Sequence, residues 1–491
     1  MATIVANMTT LNACDTTTGA QGNAPVSETD LKRQGTASIG FTVKSNVPQF
    51  GVSFTSTNMT GRHARVWMTS INGPLLDTEA NDGLQFYMED SSGRRKVWTI
   101  GGSDTYLGGW LNLCMDPSST ATSTDSGWDI TAITEFGFIM AFLTSPKNTT
   151  NSWIDYARYG DGLTAYGATE FGIEEIYQAD LANGYGVVEK YEGVYFLSGE
   201  LELGDDTSTN ACNYVDNGET LVFTNKNVAS TLYKLIGVGN GTGDTDIIFS
   251  NCAIKSAGPI FDIDMDDASI ESFELNGCVI QGADQILLDT NCTITGSTFN
   301  ACGEITPEAA TIEDTTISDS TATNAYIYPA VVADDNSVRI TFIGNTNAIE
   351  ISTDVDHTFD GHKFSGNTYD INNTSGATII VYATNGSTAS TYTGSTVDIQ
   401  NSVTVTLTGV VEGSEISIQR TGTTTVEAYT SSSAASGEFG YTFNSPPSGF
   451  TAIDVFVVKP GYEWYRVLNY TLPSLSANLP INQDIDRNYV A

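Results

Sequence analysis

Short runs of alternating apolar and polar residues recur through the middle of this chain. Phe261-Asp262-Ile263-Asp264-Met265 is one, and Phe249-Ser250-Asn251-Cys252-Ala253-Ile254 is another. Alternation at period two is the mark of a half-buried strand. The runs also repeat on a longer scale. Phe223, Phe249, Phe273 and Phe299 recur at intervals of 26, 24 and 26. Asn225, Asn251, Asn276 and Asn300 follow them at 26, 25 and 24, and Cys252, Cys278 and Cys302 at 26 and 24. A period of this size means one supersecondary unit stacked on copies of itself.

The pattern predicts a right-handed parallel β-helix of six to eight coils. Each coil would hold two or three strands of ~5 residues, with the next coil ~4.8 Å above. Phenylalanines and cysteines would stack inside, and asparagines would hydrogen-bond amide to amide along the axis. Phe342-Ile343-Gly344-Asn345 and Phe364-Ser365-Gly366-Asn367 repeat the theme at an interval of 22. A leucine-rich repeat has a similar period but needs regularly spaced leucines, where these coils carry Phe and Ile.

Outside the repeat the pattern changes. Residues 1–35 read as a polar arm without periodicity. From 36 to 165 the strands are longer and carry larger side chains, as in Arg65-Val66-Trp67-Met68, which indicates a β-sandwich of jelly-roll type. Residues 166–220 read as a transition capping the rod, 221–402 as the parallel β-helix, and 403–491 as a small β-sandwich with an extended tail. The fold class expected is therefore all-β, with a sandwich on either side of a β-helix.

Composition narrows the function classes. The chain has 491 residues, 20 Lys and Arg against 58 Asp and Glu, and a net charge of −38. No basic stripe exists to neutralise phosphates, which argues against nucleic-acid binding. The strongest apolar stretch, Phe136 to Leu143, is too short to span a bilayer, so no membrane insertion is expected. The first residues lack the basic start and apolar run of a signal peptide, and the seven cysteines, with no CxxC spacing, are expected to be reduced and buried. This composition suits assembly in a cytosol.

Two resemblances carry the functional expectation. Trp110-Leu111-Asn112-Leu113, Trp128-Asp129-Ile130 and Trp153-Ile154-Asp155-Tyr156 resemble the jelly-roll domains of carbohydrate-binding, lectin-like modules. This implies that Trp110, Trp128 and Trp153 serve as platforms for sugar rings; core packing is the alternative for each. The series of sandwich, β-helix and small β module is similar to virion proteins of tailed bacteriophages. Gly409-Val410-Val411-Glu412-Gly413-Ser414-Glu415-Ile416-Ser417-Ile418, Gly461-Tyr462 and the Gln483, Asp484 and Tyr489 ending add to that likeness. It implies a homotrimer displayed on a virion as a head decoration or tail fibre, assembled in the host cytoplasm. The other virion proteins would be its partners and host surface glycans its target.

The expected role is structural or host-attaching and non-enzymatic, with no cofactor and no metal. The alternative is a tailspike enzyme that degrades host polysaccharide, and a second alternative is a glycan-binding module. For the enzyme, Asp264 and Asp289 are separated by close to one coil of sequence and would pair as acid and base, with Asp262 or Asp266 shaping the groove. The competing reading is a solvated acidic strand. His357 and His362 share a loop with Asp354, Asp356 and Asp360 but have no third nitrogen or sulfur ligand. Gly237 to Gly243 mimics a phosphate-cradling loop without the helix and lysine such a loop requires. Arg62, Arg65, Arg94, Arg95 and Lys96, the only basic clusters, are candidates for docking an acidic partner surface, or else hairpin turns.

Overall fold

The computed structural model of the protein describes residues 2–487 apart from 45–46, 104–108, 145, 147–149, 208, 225–232, 243, 332–333, 402, 444–451 and 473–476. Asn225 and Tyr489 therefore lie outside the described residues. The chain forms two compact units, Met1–Cys292 and Thr293–Ala491.

In the first unit, the 22-residue strand Thr150–Phe171 joins two kinds of sheet. Along its length it pairs antiparallel with Thr3–Asn12, Ser38–Thr42 and Ala64–Ser70. Its later half also pairs parallel, Gly162 to Ala165 against Glu200 to Leu203. Parallel pairing thus starts at Gly162, well before residue 221. The segment 166–220 already holds coil strands, together with the helix Ile173–Asn183, which apolar periodicity did not reveal. Nor is 1–35 a free arm. Thr3–Asn12 is a paired strand, and Asp155 Oδ2 accepts from the backbone N–H of Arg33 at 2.6 Å and of Gln34 at 2.9 Å.

A second antiparallel sheet, built on Gln49–Thr57, Leu84–Asp90, Arg95–Gly101 and Ile133–Met140, completes this region. Ile39, Phe41, Phe50, Phe86, Trp98, Phe136 and Phe138 form the buried cluster of these antiparallel strands. Burying a side chain of this size contributes about 1.5–3 kcal/mol.

The coils form a parallel β-helix with three ladders. In the first unit one ladder runs through Glu200–Gly204, Tyr233–Val238, Phe261–Met265 and Ala283–Leu288. A second runs through Cys212–Asn217, Thr245–Ser250 and Ser272–Asn276, and a third through Val194–Leu197, Thr220–Phe223, Ala253–Ser256 and Val279–Gln281. Burial alternates along these strands, so Phe261, Ile263 and Met265 point inward while Asp262 and Asp264 face out. The second unit repeats the plan, for example in Thr316–Ser318, Thr341–Ile343 and Lys363–Ser365. Beyond residue 402, antiparallel strands enclose Val405, Leu407, Ile416, Ile418, Val455 and Val457.

The repeating columns do not all stack as their intervals predict. Phe249 stands opposite Leu275, while Phe273 stands opposite Ile247 in the same ladder. Phe223 belongs to the third ladder and stacks on Phe261, with ring centroids 4.4 Å apart. The interval in sequence is regular, but corners of unequal length move each ring to a different place in its coil. Phe342 and Phe364 are in register and stack at 5.2 Å. The asparagines differ likewise. Asn251 occupies a corner at φ +54°, whereas Asn276 is the last residue of a strand. Asn251 Nδ2 donates instead to Asn217 Oδ1 at 3.3 Å. The later pair does meet along the axis, Asn345 Nδ2 donating to Asn367 Oδ1 at 3.2 Å.

What recurs in each coil is a left-handed residue at the corner between the second and third ladders. It is Gly218, Asn251 and Gly277 in the first unit and Gly296, Asp314, Arg339 and Gly361 in the second. Glycine, asparagine and aspartate visit this conformation at least cost. The seven cysteines are free and buried, as expected.

Candidate functional site

The outward face of the first ladder carries the most distinctive set of ionisable groups. Lys234 stands in register with Asp262 on the next strand, and Ile236 with Asp264. The Lys234 ammonium lies 3.6 Å from Asp264 Oδ2. Asp262 is half-buried, and burial raises its pKa. Its Oδ1 accepts from the Gln285 N–H at 3.2 Å and Lys234 also opposes the rise, while Asp284 and Asp264 add to it. On an adjoining strand Glu202, whose column continues through Ile236 to Asp264, is raised by burial and by Asp206 and Asp205. A carboxyl whose pKa burial raises thus sits two residues along one strand from one that lies beside an ammonium. Pairs whose surroundings differ in this way divide acid and base roles between them.

Asp289 is not part of this pair. Asp264 stands opposite Leu287, because the facing strand follows after 22 residues at Phe261 and 23 at Asp264, a shorter coil than the 25 that separate Asp264 from Asp289. Asp289 falls in the turn beyond, where its Oδ1 accepts from the Thr290 N–H at 2.6 Å. Asp266 is exposed, past the end of the strand Phe261–Met265. The shorter coil brings Asp284 to Asp262 instead.

The other candidates have structural employment. Arg65 is fully buried, and its guanidinium donates to the Ser198 carbonyl. It ties an antiparallel strand to the first coils, so it is not available for docking. Arg94 pairs with Asp90 at 2.8 Å and Arg95 with Glu89 at 2.6 Å, while Lys96 donates to the Pro117 carbonyl at 2.7 Å. Arg62 lies over the Tyr159 ring at 5.8 Å.

Among the tryptophans, Trp153 is buried. Trp128 is half-buried, donates from its indole to the Met88 carbonyl at 3.2 Å, and has the Lys96 ammonium over its ring at 5.2 Å. Trp110 is half-buried. Neither Trp128 nor Trp153 offers an open face to a sugar. His357 and His362 are both buried, and burial lowers each to about 4. Among the described residues no group of side chains is arranged to hold a metal ion.

No protein-family model matches this chain, and no curated protein does. Among solved structures it is similar to catalytic domains of a GH87 alpha-1,3-glucanase, two variants in complex with tetrasaccharides. The first shares 10% identity at a TM-score of 0.22, over 82% of this chain and 75% of that one. The second shares 11% at 0.18, over 80% and 75%. Both are catalytic domains, against the expectation of a protein without enzymatic activity, and that expectation is not kept. Likeness at this level transfers no substrate and no residue to this chain.

A further carboxylate set, in the second unit, escaped the sequence reading. Glu350 accepts from Asn324 Nδ2 and, at 2.9 Å, from Thr374 Oγ1. Asn324 in turn accepts from Asn347 at 2.8 Å and Asn372 at 3.0 Å. Burial, and then Glu350, raise the pKa of Glu304. These residues come from separate coils, and only the coil register brings them together. No local motif signals them.

Proposed function

We propose that the outward face of the first ladder acts on a polysaccharide, cleaving a glycosidic bond with Asp262 and Asp264. The observation that carries this reading is the unlike pair itself, one carboxyl raised by burial and the other beside the Lys234 ammonium. Alternate residues of a strand project to one side and stand about 6.6 Å apart, near the lower edge of the ~6.5–9.5 Å range of inverting glycosidases. Asp262 would protonate the glycosidic oxygen as its bond to the anomeric carbon breaks. Asp264 would take a proton from the water that attacks that carbon from the opposite side. One water is consumed, two shorter saccharides form, and the proton returns from Asp264 to Asp262 through solvent. Lys234 keeps its place beside Asp264 throughout.

A polysaccharide fits a rod face because a long chain can lie across several coils at once. Display as a trimer on a phage particle, with host capsule or lipopolysaccharide as the substrate, belongs to the same proposal and rests on the domain series alone. The test is incubation with such polysaccharides and analysis of the released oligosaccharides by mass spectrometry and NMR. Release with inverted anomeric configuration is expected. Asp262→Asn and Asp264→Asn should each lower the rate about 100-fold or more with the melting temperature kept. Release at the parental rate by Asp262→Asn would refute the assignment.

A further inference from the structure

We infer that the C-terminal part of the second unit holds a saccharide-binding cleft for glycans without negative charge, independent of the carboxylate pair at Asp262 and Asp264. Trp464 has 79% of its surface exposed. It sits in a cleft of about 680 Å³ together with Tyr462, Lys459, Glu415, Glu463 and Asp486. Tyr429, 58% exposed on the strand Val426–Thr430, donates from its hydroxyl to Glu415 Oε1 at 3.0 Å and so holds that carboxylate at the cleft. A large apolar ring left in water is unfavourable unless something covers it.

The segment that carries the indole is held in place. Glu463 N–H donates to the Asp484 carbonyl at 2.8 Å, and Asp486 N–H to the Gly461 carbonyl at 3.1 Å. Tyr462 forms an antiparallel bridge with Ile485. Lys459 donates to the Glu412 carbonyl and lies 5.3 Å from the Tyr462 ring centroid. A backbone held in this way presents the indole without first having to be ordered on binding.

Charge selects the occupant. Three carboxylates face one ammonium around the cleft, and that ammonium already serves the Glu412 carbonyl. A uronate, sialate or phosphate would meet repulsion here. So would the same face of a second copy of this chain, whose net charge is −38. A pyranose with only hydroxyl, acetamido or amino groups meets none. Its C–H face can cover the indole while its hydroxyls donate to Glu415, Glu463 and Asp486, which are acceptors only when ionised.

The test uses the full chain and four probes: cellotriose, maltotriose, the trimer of N-acetylglucosamine, and trigalacturonate as the anionic control. Calorimetry and saturation-transfer NMR should show at least one uncharged trimer binding at millimolar Kd or tighter, with trigalacturonate absent. Trp464→Ala should weaken that binding by about 10-fold or more, the scale of a lost aromatic anchor, and Trp464→Phe should restore part of it. The exposed indole makes little contribution to folding, so the melting temperature should stay within about 2 °C. Failure of all three uncharged trimers to bind at about 10 mM, equal binding by trigalacturonate, or equal binding by Trp464→Ala would each overturn the inference. A self-association seen by sedimentation and abolished by Trp464→Ala would overturn it as well, assigning the face to a second copy.

Discussion

His362 gives a quantitative test of the coil interior. Its ring is 1% exposed. Nδ1 accepts from the Ile340 N–H at 3.2 Å, so the ring proton resides on Nε2, which faces Ser337 Oγ at 3.4 Å. Ser337 Oγ donates its own proton to Asp335 Oδ1 at 2.5 Å. Protonating Nδ1 would place two donors face to face inside the coil. Burial therefore lowers the histidine from 6.5 to about 4, against a smaller opposing pull from Asp360. The unfolded chain binds the proton first. The contribution of His362 is complete above pH 6.5 and is lost as the pH falls towards about 4. At about 1.36 kcal/mol per pH unit the whole loss is roughly 3 kcal/mol, most of it reached by about pH 4.5.

The assay is urea unfolding of the parent and of His362→Asn at pH 7 and about pH 4.5. Asparagine keeps an acceptor for Ile340 N–H and does not titrate. Its smaller volume lowers stability by about 1–2 kcal/mol at both pH values, so the difference between the two proteins isolates the proton. The parent should exceed the variant at pH 7 and fall below it near pH 4.5. Equal pH dependence in the two proteins would refute the argument, because the histidine would then bind its proton equally in both states.

Other outcomes follow from the same geometry. If Asp262 is the acid, its raised pKa keeps it protonated further up the pH scale than an ordinary aspartate, and activity should fall as the pH rises through that value; a pH–rate profile checks this. Arg65→Ala leaves the buried Ser198 carbonyl with only the weak Cys114 thiol donor at 3.5 Å and should cost about 3–5 kcal/mol in chemical denaturation. Phe342→Ala removes a ring stacked between coils and should cost about 3–5 kcal/mol, with Phe342→Leu costing less. At the corner, Gly277 has φ +65° and an added Cβ would lie 3.1 Å from Asn251 Oδ1. Gly277→Ala should therefore cost about 1–2 kcal/mol, whereas Asn251→Gly at the equivalent corner should be near neutral.

The sequence by itself determined the class of fold. Strand alternation survives in any coil, so the run Phe261-Asp262-Ile263-Asp264-Met265 by itself marks which side chains are buried. The period of the repeat determined that the coils stack in parallel, and the scarcity of cationic side chains argues against a nucleic-acid surface. Register, however, was decided only by the tertiary structure. A corner can gain or lose residues and a strand can bulge without changing the apolar pattern, because the solvent side accepts either. For that reason Asp289 missed Asp264 while Asp284 reached Asp262, and Phe249 and Phe273 took different places in neighbouring coils. Burial of the large polar side chains was decided there too. Arg65 reads as a surface cation until the Ser198 carbonyl meets it, and Trp464, outside the aromatic-rich segment, is the tryptophan left in water. Such outcomes depend on which distant strand arrives opposite, and that is a property of the packed chain.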